Sequence, residues 1–145
     1  MRAVLQRVNY SQVRVDGQTI ASIKQGLVIL LGVGPDDNAM KTAVLAKKIA
    51  QLRIFEDDQG KMNLSLLDVG GEAIVVSQFT LYADTRKGNR PSFVNAAPPG
   101  QAKPDVDRFI QELQQLGVPT QSGEFGAHML VGLENDGPVT ILLEA

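Results

Sequence analysis

Gly26-Leu27-Val28-Ile29-Leu30-Leu31-Gly32-Val33-Gly34 sets the frame for the rest of the chain. It is almost wholly apolar, bounded by glycine and too short for a typical helix. That pattern belongs to a central strand covered on both faces. Immediately after it, Pro35-Asp36-Asp37-Asn38 supplies turn and N-cap chemistry. A helix over 38–53 follows, with Leu45, Ile49 and Leu52 on one stripe. Before it, residues 2–23 are rich in Val and alternate. Val4, Gln6, Val8 and Tyr10 share one parity, Val13 and Val15 the other, which predicts strands with a bulge near Ser11. Asp16-Gly17 between two such runs is a hairpin turn.

Beyond the first helix, Asp57-Asp58-Gln59-Gly60 reads as a turn and 73–79 as a second buried strand. Residues 83–103, rich in Gly, Pro, Asn and Arg, read as a long loop, which in a compact domain tends to be functional. Residues 104–116 carry the clearest helical pattern. Val106, Phe109, Ile110, Leu113 and Leu116 recur at helical spacing, Pro104 suits the first position, and Gly117 with Pro119 ends the run. Asp105 and Asp107 would then face the positive N-terminal end. Short strands follow at 120–124, 129–133 and 139–143, the last two linked by Asn135-Asp136-Gly137-Pro138. The expectation is one mixed α/β domain over 1–145 with many strands and two main helices. The helices would cover one sheet face, leaving the other to a second sheet or a partner chain.

Composition narrows the chemistry. The 145 residues carry 14 Lys and Arg against 16 Asp and Glu, a net charge of −2, with 43% hydrophobic and 21% charged residues. These values fit a globular domain and argue against disorder, a fibrous repeat or a simple basic nucleic-acid clamp. The absence of Cys removes disulfides, thiolate zinc sites and Cys nucleophiles, and the single His128 removes multi-His metal centres. The start of the chain has no secretory apolar region, and the longest apolar run is far too short for a bilayer. A soluble cytoplasmic protein is expected, with no cofactor and no metal.

Gly32-Val33-Gly34 lacks the third glycine of a dinucleotide loop, so a tight strand-to-helix turn explains it. The 57–60 turn lacks the remaining calcium ligands. Nothing in the sequence brings His128 near a nucleophile. Two segments are more informative. In Ser77-Gln78-Phe79-Thr80 a buried strand ends in polar side chains and opens into a basic loop carrying Arg86, Lys87 and Arg90. Such an end is where open α/β sheets hold ligands, and the cations suit phosphates; a capped strand with a solvated loop is the plainer alternative. Gly137-Pro138 has the composition of a turn. A cis bond there would set two carbonyls parallel as acceptors for an ammonium group.

Taken in series, Gln6-Arg7-Val8, Gly60-Lys61-Met62-Asn63, Ser77-Gln78-Phe79-Thr80-Leu81, Arg90-Pro91-Ser92-Phe93 and Asn135-Asp136-Gly137-Pro138-Val139-Thr140 resemble the D-aminoacyl-tRNA deacylase (D-tyrosyl-tRNA deacylase-like) family. The resemblance runs the length of the chain. It implies an enzyme hydrolysing the ester of D-aminoacyl-tRNA, and of glycine mischarged on tRNA(Ala). It implies a three-layer β/β/α fold with barrel-like curved sheets, and a homodimer. It also implies a cis Gly137–Pro138 bond reaching the other subunit's active site, with Ser77, Gln78 and Thr80 lining that pocket. On this reading the backbone N–H groups of Phe79 and Thr80 hold the carbonyl oxygen, the tRNA 2′-hydroxyl helps to activate water, and Thr80 orients. Thr80 as a covalent nucleophile, and a non-catalytic RNA-binding module of the same fold, stay open. Gly137 and Pro138 would reject L-aminoacyl groups. The charge of −2 leaves Arg7, Arg86, Lys87 and Arg90 as the local tRNA contacts.

Overall fold

The computed structural model describes residues 1–145. β1 (Arg2–Val15) and β2 (Gln18–Ile23) form the hairpin, turning on Asp16 and Gly17, both at positive φ. β3 (Gly26–Gly32) returns beside the first half of β1 and continues, parallel, into β6 (Glu72–Ser77) and β7 (Thr120–Ser122). β8 (Leu130–Glu144) lies antiparallel along the other edge of β1. Gln121 of β7 then reaches β2: its Oε1 accepts from Ser22 N at 3.0 Å and its Nε2 donates to Ser22 O at 2.6 Å. The curved sheet is thereby almost a closed barrel. A small hairpin, β4 (Phe55–Glu56) with β5 (Met62–Leu64), lies outside it; strands this short leave little periodic signal, and the sequence reading had only their turn.

The alternation of β3 and β6 explains the layers. Leu27, Ile29, Leu31, Ala73 and Val75 point outward into a core shared with α1 (Ala39–Ala50) and α2 (Pro99–Gln115). Val28, Ile74 and Val76 point inward, against Val8, Val13, Ala21 and Ile23 of the opposite wall. The layers are therefore helices, sheet and sheet. The second sheet face, which sequence left to another sheet or a partner, is covered by this chain's own β1, β2 and the start of β8.

Several boundaries differ from expectation. The buried set of β1 runs Ala3, Leu5, Arg7 and then Val8, and the register against β8 breaks on both sides of Val8. The break at Arg7 is made by the excursion in β8 opposite it, and the one at Val8–Tyr10, where β1 carries an extra residue against β8, is the bulge expected near Ser11. α1 does start at Asn38, whose side chain accepts from Lys41 N, but it ends at Ala50. α2 starts at Pro99, not Pro104. The adjacent Pro98-Pro99 pair supplies the helix start, and Pro104 is carried within the helix. No acidic residue stands in the first turn; Asp105 is instead buried and accepts from Arg108 Nη1 at 2.7 Å. Residues 129–133 and 139–143 are one strand, and Gly137-Pro138 is an excursion within it, not a reversal between two.

Candidate active site

β6 ends at Ser77, because Gln78 N donates to Leu31 O at 2.8 Å and the chain then winds into a 3₁₀ turn, Phe79–Tyr82. Within the turn Leu81 N donates to Gln78 O and Ala83 N to Thr80 O; none of the turn or loop bonds uses the amides of Phe79 or Thr80. Such idle donors are usual at the start of a helical turn. Gly32 and Gly34 serve this turn. A Cβ on Gly34 would stand 2.8 Å from the Tyr82 hydroxyl, and one on Gly32 would stand 3.2 Å from Leu81 Cβ. From the other side, Arg2 Nη1 donates to Leu81 O at 2.9 Å, and its guanidinium stacks 4.7 Å from the centre of the Tyr82 ring. Burial of Tyr82, reinforced by the charge of Asp37, pushes its hydroxyl up to about 12.

Beside the turn opens a cavity of about 640 Å³. Ser77, Gln78 and Phe79 form one wall, the start of α2 around Ala97 and Ala102 a second, and residues 125–129 a third. Its size suits a small ligand with one apolar face. Apart from His128 at the rim, no ionisable side chain lines it. Phe79 meets Phe93 edge-on, with ring centres 5.0 Å apart. Thr80 is exposed and off the cavity wall, and Gln78 Nε2 donates to its Oγ1. The cavity residues Phe93, Ala97, Phe125 and Met129 were missed in the sequence. Their one signal was apolar side chains inside Gly- and Pro-rich loops.

The basic loop folds back through a bridge between Asp84 and Ser92. Arg86 is spent on Asp84, its Nη2 at 2.6 Å from Oδ2, and this pairing holds the Asp84 carboxyl down to about 2. Lys87 and Arg90 are exposed and enter no ion pair. Arg7 departs from its expected place on the surface. Its side chain is 4% exposed, Nη1 donates to Ile54 O at 2.7 Å and Nε to Asp136 O at 2.9 Å, with Glu56 and the Asp136 carboxylate nearby. A buried guanidinium that satisfies backbone carbonyls is a brace, here between the β4–β5 hairpin and the β8 excursion.

That excursion carries Gly137 and Pro138, joined by a cis peptide bond. Both are exposed and neither lines the cavity of their own chain. Gly137 stands at φ 136°, and a Cβ there would lie 2.7 Å from Val139 Cγ2 and 3.2 Å from Arg7 Nη2. Only glycine fits that corner.

A family model described as D-Tyr-tRNA(Tyr) deacylase matches residues 4–144. A protein of Thermomicrobium roseum named D-aminoacyl-tRNA deacylase is 60% identical over all of this chain and 94% of its own length. One of Roseiflexus castenholzii with the same name is 61% identical, covering 92% of that protein. Among solved structures, the c-Myc DNA unwinding element binding protein superposes with a TM-score of 0.95 at 41% identity, covering 100% of this chain and 99% of the other. A probable eukaryotic D-amino acid tRNA deacylase reaches 0.82 at 17% identity, covering 98% and 97%, a likeness of fold alone. With motifs in series along the chain, a model match over nearly all of it and full-length relatives this similar, the chain belongs to the D-Tyr-tRNA(Tyr) deacylase family.

Proposed function

We propose that this protein hydrolyses the ester joining a D-amino acid to the 3′ end of tRNA, and glycine wrongly attached to tRNA(Ala). It works in the cytoplasm, where charged tRNA is used; no helix of the chain is long and apolar enough to cross a membrane. The observation that carries this reading is the cavity at the end of β6, with two idle backbone donors beside it and no charged wall. An aminoacyl ester is already activated. Its cleavage needs positioning and donors for the developing oxyanion more than a strong base. The names borne by full-length relatives near 60% identity support the substrate class.

In the proposed reaction water adds to the ester carbonyl carbon, and the negative oxygen collects on the N–H groups of Phe79 and Thr80. The neighbouring ribose 2′-hydroxyl relays the water's proton. The tetrahedral species then collapses, the 3′ oxygen leaves with that proton, and free tRNA and amino acid result. Ser77 and Gln78 shape the pocket and Thr80 orients. The hydroxyl of Thr80 already accepts from Gln78, and no base adjoins it, which disfavours a covalent Thr ester. Gly137 and Pro138 act across a homodimer, entering the partner's cavity and presenting carbonyls to the α-amino group. An L side chain would then meet rigid backbone. Their exposure, away from their own cavity, supports that arrangement.

Release of free amino acid from D-aminoacyl-tRNA, with the L-aminoacyl form left intact, is the direct test. Binding without release would leave an RNA-binding module instead. Thr80→Ala separates the mechanisms: residual turnover well above background excludes the nucleophile, and total loss with binding kept restores it.

A further inference from the structure

β8 leaves its ladder for residues 136–139. Gln6 faces Thr140 and Val8 faces Asn135, so the whole excursion stands opposite Arg7. Arg7 holds the Asp136 side of the loop through its bond to Asp136 O at 2.9 Å. The Val139 side is held by one amide. Asn135 Oδ1 accepts from Val139 N at 2.7 Å, while its Nδ2 donates to Val139 O at 3.0 Å and to Gln6 Oε1 at 2.5 Å. Gln6 Oε1 also accepts from Thr140 Oγ1 at 2.7 Å. The donors dictate one another. A backbone N–H only donates, so Oδ1 of Asn135 must face it, Nδ2 must face the other way, and Gln6 must answer with oxygen. Val139 is buried, so its N–H and carbonyl depend on this side chain for partners.

We propose that Asn135, backed by Gln6 and Thr140, is a positioning residue that fixes where the Gly137 and Pro138 carbonyls stand, and so how strictly L-aminoacyl groups are turned away. The inference rests on the reading that these carbonyls select chirality. Rejection by backbone works only while the backbone cannot yield. A D and an L substrate differ by exchanging a hydrogen and a side chain at one carbon, so a shift of about 1 Å is enough to admit the wrong one. Arg7 alone leaves one leg of the loop free to swing; the Asn135 amide pins the other.

Two near-isosteric changes test this. Asn135→Asp keeps an acceptor for Val139 N but turns a carboxylate oxygen toward Val139 O and Gln6 Oε1. Gln6→Glu keeps acceptors for both Asn135 and Thr140. The readout is the D-over-L ratio of kcat/KM on matched aminoacyl-tRNAs. The ratio is expected to fall roughly tenfold to a hundredfold in Asn135→Asp, by a rise on the L substrate, and to hold in Gln6→Glu. A merely structural residue would lower both rates together. An unchanged ratio in Asn135→Asp, or an equal loss on both substrates, overturns the proposal. Should Asn135→Asp not fold, Gln6→Met with Thr140→Val must lower the ratio, and an unchanged ratio overturns it equally. A wild-type protein with no D preference removes the underlying reading and this one with it; a selective wild type with selective variants removes this one alone.

Discussion

Replacing Arg7 by Met separates a brace from a phosphate contact. The side chain is 4% exposed, and its two strong bonds end on backbone carbonyls, Ile54 O at 2.7 Å and Asp136 O at 2.9 Å. Met keeps most of the stem but donates nothing, and leaving a buried acceptor bare costs about 1–3 kcal/mol. Ile54 O is buried and Asp136 O only partly, so the two together give roughly 2–5 kcal/mol, partly offset because the charge no longer has to be buried. The ion pairs with Glu56 at 3.6 Å and Asp136 at 3.5 Å add little, since both carboxylates are largely in water. A net loss of about 3 kcal/mol is expected, a fall in Tm of roughly 6–12 °C for a chain of this size. Urea unfolding at fixed protein concentration measures it. Salt dependence of tRNA binding is measured alongside. A phosphate contact would leave stability intact and lower the slope of log K against log salt by about one. That result, with an unchanged unfolding midpoint, would refute the brace.

Further outcomes follow from the same geometry. Gly34→Ala drives a methyl against the Tyr82 hydroxyl and is expected to cost about 1–3 kcal/mol in urea unfolding; an unchanged midpoint would mean the 3₁₀ turn packs elsewhere. The Asp84 carboxyl, followed by NMR, is expected to titrate near 2, and in Arg86→Ala to return toward its ordinary 3.8. Its pairing with Arg86 stabilises the loop fully above pH 3.8, and that contribution disappears as pH falls through about 2; a normal titration in the wild type contradicts the pairing. Changing Lys87 and Arg90 together to Gln is expected to reduce the tRNA-binding salt slope by about two with Tm unmoved. An unaltered slope would place the RNA on another face.

Much of the layering was legible because burial leaves a period. β3 declared itself as a run covered on both sides, Asp16-Gly17 as a turn, Asn38 as a cap, and α2 through Val106, Phe109 and Leu113. Ends were harder, since competing signals stood side by side. Pro98-Pro99 and Pro104 each look like a helix start, and only packing chose. Phe79 reads as strand until Gly32 and Gly34 let the 3₁₀ turn close against them. Gly137-Pro138 has the composition of a reversal, yet pairing of β8 with β1 on both sides of it keeps one strand running through. Of the site residues, Ser77, Gln78 and Phe79 line the cavity and Thr80 stands beside it. Arg7 was misplaced because sequence shows a cation but not the two carbonyls, distant along the chain, that it satisfies. The cavity's far wall escaped because its residues come from irregular segments with no period to read.

The in-trans arrangement is tested most directly by mixing two damaged chains. Gly137→Val forces a side chain into Val139 and Arg7 and displaces the excursion, while Ala127→Trp fills the cavity; each homodimer is then expected to be inactive on D-aminoacyl-tRNA. Coexpressed, they should recover about a quarter of wild-type activity, because about half the dimers are mixed and each holds one undamaged cavity facing one undamaged excursion. Mixed dimers, verified by mass, that stay inactive would contradict the account, since cavity and excursion would then have to lie on the same chain.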